Sequence, residues 1–306
     1  MLPRMRRRVA LLAASILPLL GCASVRTFDE VRKTVPEDRF LKIGDQLVHI
    51  EQAGQGEPLI LLHGFGASTY AWRNVMPALA AAFRVIAIDL NGFGYTQRPR
   101  TFESYTREGQ AALVLRVMDA LGLDSAHLMG HSYGGGLSLF IASRHPERVR
   151  SLVLVDSSAP TYANDRRSRA ASVKPLVGLY LRSFVLRPNT VRRALRHSFH
   201  DDSLVTPELV HEYYERIRVE GVVDAYHGLT APTRTVSEPV VLEEIRMPAL
   251  VVWGAEDELI SAESGRRAAA RMPSAEFVLM EGVGHVPMEE KPEELLRIVL
   301  PFLQRQ

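Results

Sequence analysis

Leu128-Met129-Gly130-His131-Ser132-Tyr133-Gly134-Gly135-Gly136 is the stretch on which the reading of the chain turns. An apolar run from Ala126 to Met129 enters it, and a helical pattern with Leu137, Leu139, Phe140 and Ile141 leaves it. A strand that passes at once into a helix holds the residue at the turn, Ser132, in a tight, strained bend. Side chains two residues to either side would collide with neighbouring backbone, so glycine is the residue that fits at 130 and 134. The bend lifts the Ser132 hydroxyl above the sheet edge and aims it at a helix N-terminus, where free N–H groups favour negative charge. G-x-S-x-G also occurs as an ordinary glycine-rich turn, so the partners of Ser132 must decide between the two.

On either side of this turn the chain alternates short apolar strands with amphipathic helices. Phe40–Ile43 and Gln46–Glu51 flank Gly44-Asp45 as a hairpin. Strands are expected at 58–62, 84–90, 126–129 and 149–155, with helices at 70–82, 104–121 and from the turn to about 144. Strands apolar on both faces imply a parallel sheet covered on both sides. The alternation stops near Ala159, and 159–243 reads as helices and loops, with Thr206-Pro207-Glu208 opening a helix that runs through Val219. It resumes with a strand at 247–253, a helix at 261–272, a strand at 275–280 and a helix at 292–303.

The chain has 306 residues, 46% of them hydrophobic and 24% charged, which is ordinary globular composition. A net charge of +2 gives no electrostatic reason to bind nucleic acid. The first residues stand apart from the fold. Arg4, Arg6, Arg7 and Arg8 precede a twelve-residue apolar run, Val9 to Leu20, too short to span a bilayer and suited to a secretion signal over 1–21. Its end, Leu19-Leu20-Gly21-Cys22, resembles the lipobox of bacterial lipoproteins. That resemblance implies cleavage before Cys22 and acylation of its thiol and new amino group, against the simpler reading of a plain signal peptide. Loss of the leader's four arginines leaves 33 basic residues against 35 acidic, a net of −2. Cys22 is the only cysteine, so no intrachain disulfide is possible. A bacterial cell envelope location follows as an expectation; Ala23 after the cysteine implies the outer membrane if the bacterium is Gram-negative. Residues 22–39 read as a polar tether.

The order of elements and five motif stretches resemble the α/β-hydrolase superfamily, in particular its members with a helical cap inserted after the sixth strand. The stretches are His63-Gly64-Phe65-Gly66, Asp89 to Gly94, Gly130 to Gly134, Trp253 to Asp257 and Gly282-Val283-Gly284-His285. The resemblance covers about Phe40 to Leu303, with 40–158 and 244–306 as the α/β core and 159–243 as the cap. It implies a Ser132–Asp257–His285 triad. Serine is a poor nucleophile unless a base takes its proton, and the imidazole of that base needs a carboxylate to fix its tautomer. Asp257 follows the seventh strand; Asp156, at the end of the sixth, is the rival acid. The backbone N–H groups of Tyr133 and Phe65 are the expected oxyanion donors. Glu256 and Glu258 are expected as solvated turn charges, and His63 as a structural residue.

Serine rather than aspartate at the turn argues against haloalkane dehalogenase and epoxide hydrolase activity. No pattern suggests a metal or a cofactor: there is no His/Glu pair at helical ligand spacing and no dinucleotide fingerprint. The reading that results is a lipid-anchored serine hydrolase acting on a small-molecule ester, of apolar acyl groups. Hydrolysis of a C–C bond in a vinylogous diketone is the alternative within enzymes, and a non-catalytic binding lipoprotein the alternative outside them. Nine basic residues and no acidic one lie between Arg166 and Arg196, interleaved with apolar residues from Leu176 to Leu186. This stretch reads either as a solvated cap face or as a surface leaning toward anionic lipid headgroups.

Overall fold

The structure, a computed structural model, describes residues 25–158, 186–230 and 239–306. The leader, Cys22 and most of the basic, apolar stretch of the cap lie outside the described residues. Eight strands form one sheet: β1 (Phe40–Ile43), β2 (Gln46–Ala53), β3 (Pro58–Leu62), β4 (Arg84–Ile88), β5 (Ala126–His131), β6 (Val149–Val155), β7 (Ala249–Gly254) and β8 (Ala275–Met280). Their order is β1-β2-β4-β3-β5-β6-β7-β8. The first hairpin and the β2/β4 pair are antiparallel; every later pair is parallel. This is the expected α/β-hydrolase fold with a mostly parallel sheet.

Register explains where a site can form. Leu62 lies opposite Gly130, His131 opposite Val155, Val155 opposite Val252, and Gly254 opposite Met280. The parallel strands therefore end together, and the loops after β3, β5, β6, β7 and β8 emerge side by side at one edge.

Each face of the sheet has its own core, built from alternate residues of the same strands. Ile60, Leu62, Leu128, Leu152 and Val251 pack under α1 (Arg107–Ala120), α2 (Tyr133–Arg144) and α6 (Ala262–Arg271). Leu59, Leu61, Met129, Val153 and Val252 pack under α7 (Pro292–Leu303) and Trp72. Between β6 and β7 come α3 (Pro188–Ser198), α4 (Pro207–Ile217) and α5 (Val222–Thr230). Val191, Leu195, Leu209 and Tyr213 of these helices belong to the second core, so this insertion packs into the domain rather than hanging from it.

Two expectations are corrected. The helix expected over 70–82 is two short pieces, Thr69–Trp72 and Met76–Leu79. A continuous helix would press the Pro77 ring against the carbonyl of Arg73, so the chain breaks between them. The described part of the expected tether is folded. Phe28–Arg32 is a helical turn with a reciprocal Thr27/Glu30 cap, and its Val31 is fully buried. Arg26 exchanges backbone hydrogen bonds with Arg218 and Glu220, each at 2.8 Å, tying this segment to the end of α4. Among the described residues no helix is long and apolar enough to cross a membrane.

Candidate active site

Ser132 ends β5 and caps α2 with φ +48°, a left-handed conformation that a side-chain-bearing residue adopts only under constraint. The constraint is visible on both sides. Its N–H donates to the Val155 carbonyl at 3.0 Å, and its own carbonyl accepts from Gly136 at 3.1 Å and from Ser158 at 3.0 Å. A Cβ at Gly134 would run into the Leu62 carbonyl, and one at Gly130 into the Gly134 carbonyl. The two glycines read from the sequence are thus required by close backbone approach. Tyr133 is the first residue of α2, so its N–H has no carbonyl a turn earlier in the helix to bond.

His285 lies in the turn after β8, with Nδ1 2.7 Å from Asp257 Oδ2. A carboxylate only accepts, so Nδ1 carries the proton and Nε2 is left as the basic nitrogen. Asp257 Oδ1 accepts from the N–H groups of Leu259 at 2.8 Å and Ile260 at 2.9 Å. Burial pushes the Asp257 carboxyl up. The hydrogen bond and charge of His285 and these two N–H groups outweigh it and hold the carboxyl below its ordinary value.

The structure brings Ser132 to this pair through its neighbour. His131 is buried, its ring lies 4.8 Å from that of His285, and its Nε2 donates to the His285 carbonyl at 2.6 Å. Burial lowers the His131 pKa to about 3, so it acts as a neutral donor. On the other side of Ser132 runs the turn after β3. A Cβ placed on Gly64 would come within 3.3 Å of Ser132 Cβ, and the Phe65 and Tyr133 rings meet edge to face at 6.3 Å. The two residues expected as oxyanion donors therefore lie side by side at Ser132. His63 is fully buried and accepts the Leu90 N–H on Nε2 at 3.1 Å while Nδ1 donates to the Gly64 carbonyl at 2.8 Å. It binds the turn to the end of β4, which is a structural role.

Asp156, the rival acid, stands beside the pair but does not hold the imidazole. One carboxyl oxygen of Asp156, one of Asp257 and a ring nitrogen of His285 lie within 4.8 Å of one another. These are atoms of the expected acid–base pair and of its rival acid, and two adjacent oxygens with one nitrogen need no ion to account for them.

Sequence reasoning missed the residues that hold the histidine turn. Glu256, expected as a solvated charge, accepts the Val283 N–H at 2.8 Å, whereas Glu258 is exposed as expected. Glu290 accepts from Gly284 and His200, each at 2.8 Å, and the His285 N–H donates to the Ser198 carbonyl at 2.7 Å. The histidine turn is thereby joined to the end of α3. Tyr213 of α4 donates to Glu289, which also pairs with Arg73. No local pattern marks these partners, because all but the Gly284–Glu290 contact join segments far apart in the chain. Over the turn after β3, Phe65 meets Phe93 at 5.3 Å and Tyr226 of α5 at 6.3 Å, with Phe65 itself 49% exposed.

The sequence profile of the alpha/beta hydrolase fold matches residues 57–292. The chain belongs to the alpha/beta hydrolase fold family. It is 31% identical over 275 residues to the 2-hydroxy-6-oxo-2,4-heptadienoate hydrolase of Pseudomonas putida, covering 87% of this chain and 95% of that one. It is 29% identical over 266 residues to Lipase 1 of Psychrobacter immobilis, covering 83% and 79%. Among solved structures, a meta-cleavage product hydrolase from Pseudomonas fluorescens IP01 superposes with a TM-score of 0.74 at 28% identity, over 87% of this chain and 97% of that one. The relatives thus include a dienoate hydrolase, a meta-cleavage product hydrolase and an enzyme named a lipase.

Proposed function

We propose that this hydrolase cleaves carboxylic esters of apolar acyl groups through an acyl-enzyme on Ser132. The observation that carries the reading is the strained Ser132 beside a buried Asp257–His285 pair. His285 Nε2 takes the hydroxyl proton as Ser132 Oγ attacks the ester carbonyl, and Asp257 stabilises the imidazolium that forms. The oxyanion is met by the N–H groups of Tyr133 and Phe65, each such donor being worth about 3 kcal/mol of barrier. The imidazolium then protonates the leaving alcohol, and water repeats the sequence on the acyl-enzyme. Lipase 1 supports the ester class. The aromatic rings of Phe65, Phe93 and Tyr226 support an apolar acyl group, since they offer it a low-polarity wall.

The heptadienoate hydrolase and the meta-cleavage product hydrolase favour a second reading, hydrolysis of the C–C bond of a vinylogous diketone. One panel separates the two: p-nitrophenyl esters from acetate to dodecanoate against a 2-hydroxy-6-oxo-dienoate. Faster turnover of medium-chain esters is expected; turnover of the dienoate alone moves the protein to the second class. We further propose that the mature chain begins at an acylated Cys22 and acts at the bacterial envelope. Incorporation of an alkyne fatty acid that is lost in Cys22→Ala is the expected result, and incorporation that persists in that variant would overturn it. Anionic-lipid binding by the cap, and the non-catalytic alternative, are outcomes that liposome flotation of a Cys22-free chain and covalent labelling of Ser132 would respectively reveal.

A further inference from the structure

Asp156 is a buried carboxyl beside the acid–base pair to which acyl transfer gives no task. It follows β6 at φ +43°, and apart from Ser132 it is the one non-glycine residue with positive φ among the described residues. Such a backbone costs on the order of 1–3 kcal/mol and persists only where surroundings dictate it. The side chain is fully buried. Oδ1 accepts the Gly254 N–H at 3.0 Å, while Oδ2 meets no donor. Close to the Asp156 carboxyl lies another carboxylate, that of Asp257, with one oxygen of each within 4.8 Å of the other.

Asp257 has spent its acceptor sites on three donors, the N–H groups of Leu259 and Ile260 and Nδ1 of His285. An ionised carboxylate offers about four lone-pair sites, so room for one donor remains. Two acceptors cannot bond without a proton between them, and two adjacent carboxylates in a dry site cannot both ionise cheaply. The groups that face Asp156 are the Gly254 N–H from β7, Asp257 from the following loop, His285 from the turn after β8, and Glu290 from the short helix Pro287–Glu290. Burial is the largest influence and pushes the carboxyl well above its ordinary value. The Gly254 N–H opposes this, and the charge and hydrogen bond of Asp257 and the charge of Glu290 reinforce it.

We infer that Asp156 is a positioning residue, a neutral carboxylic acid whose Oδ2–H donates to the Asp257 carboxylate and holds it against His285. The inference rests on the reading of Asp257 and His285 as the acid–base pair. It gives the strained backbone at φ +43° a purpose, since the side chain reaches the Gly254 N–H and lies beside Asp257.

The test uses the full chain with two replacements that suit a positive φ. Asp156→Gly removes the donor. Asp156→Asn keeps it, with the amide oxygen accepting from Gly254 and the NH2 group donating to Asp257. For ester turnover we expect Asp156→Gly to lower kcat about tenfold with KM little changed, the loss of one hydrogen bond to a charged group. Asp156→Asn should recover most of that loss. Stability supplies a readout independent of substrate. A carboxyl whose folded pKa is raised contributes stability that is full below its unfolded pKa of about 3.9 and is lost as pH rises toward the folded pKa. The Tm of the wild type should therefore fall relative to Asp156→Asn as pH rises from 5 to 9. The infrared difference between the two proteins at pH 7 should contain the C=O band of a protonated carboxyl. A Tm difference that runs the other way with pH, no protonated band, or an Asp156→Asn enzyme as impaired as Asp257→Asn would overturn the inference. If the wild type turns over no ester, the stability and infrared arms still decide the state of Asp156.

Discussion

Asp89 and Asp156 invite comparison, because each follows a parallel strand at the same edge of the sheet and each is fully buried. Their surroundings drive them in opposite directions. Asp89 accepts from the Thr69 N–H at 2.6 Å, the Tyr95 N–H at 2.7 Å and His49 Nδ1 at 2.8 Å. Burial would raise its pKa, yet the charge and hydrogen bond of His49 and the Tyr95 N–H hold it far below the ordinary carboxylate range. Asp156 has one N–H donor and a negative neighbour, and its pKa rises. Burial alone therefore does not set the state of a carboxyl; the donors arranged around it do. One strand end becomes a charged clamp for the 89–96 turn, where a Cβ at Gly94 would collide with the Asp89 carboxylate. The other, on our inference, becomes a neutral group next to the Asp257–His285 pair.

The strongest way to break this contrast is at the third carboxyl. Asp257→Asn should lower kcat about 10⁴-fold, because an amide in place of the carboxylate selects the wrong histidine tautomer. An effect no larger than that of Asp156→Asn would move the triad acid to the sixth strand. Next comes Asp89→Asn, which at pH 7 should destabilise the fold by about 3–5 kcal/mol in urea unfolding, since buried donors lose a charged acceptor. The folded pKa of Asp89 is depressed, so its contribution is present above about pH 3.9 and is lost as pH falls below that. The deficit should accordingly narrow in acid, and a deficit that widened there would contradict the ionised state. His49→Leu removes one donor and brings Asp89 part of the way toward the surroundings of Asp156. A loss of about 1.5–3 kcal/mol at pH 7 is expected, with acid unfolding beginning at higher pH. Asp156→Asn should run the other way, with a gain in Tm over the wild type at neutral pH that grows as the pH is raised; a loss there would erase the difference between the two sites.

The sheet was legible in sequence because apolar strands covered on both sides leave a strong periodic signal. The succession of strands and helices along the chain, the turn at Ser132 and the late glycine-containing turn at His285 were readable as local patterns, and the structure places both turns at one edge of the sheet. The break at Pro77 was locally encoded, yet the alanine-rich surroundings masked it. The partners of the histidine turn could not be read. Glu256 and Val283 are 27 residues apart, and Glu290 and His200 are 90 apart. Nothing near Glu256 distinguishes it from Glu258, which is exposed. Asp156 could be named as a rival acid from its strand-end position, but its protonation depends on Asp257, 101 residues later, coming alongside. The segment from Arg26 to Arg39 looked like a tether because its polar residues conceal the single buried anchor, Val31.

The central claim is that Ser132 is an activated nucleophile. It is tested most directly by treating the folded full chain with a fluorophosphonate and locating the adduct by mass spectrometry. One adduct is expected, on Ser132, lost in Ser132→Ala and much slower to form in His285→Ala. A folded chain that takes up no label, or a label that persists in Ser132→Ala, would contradict it.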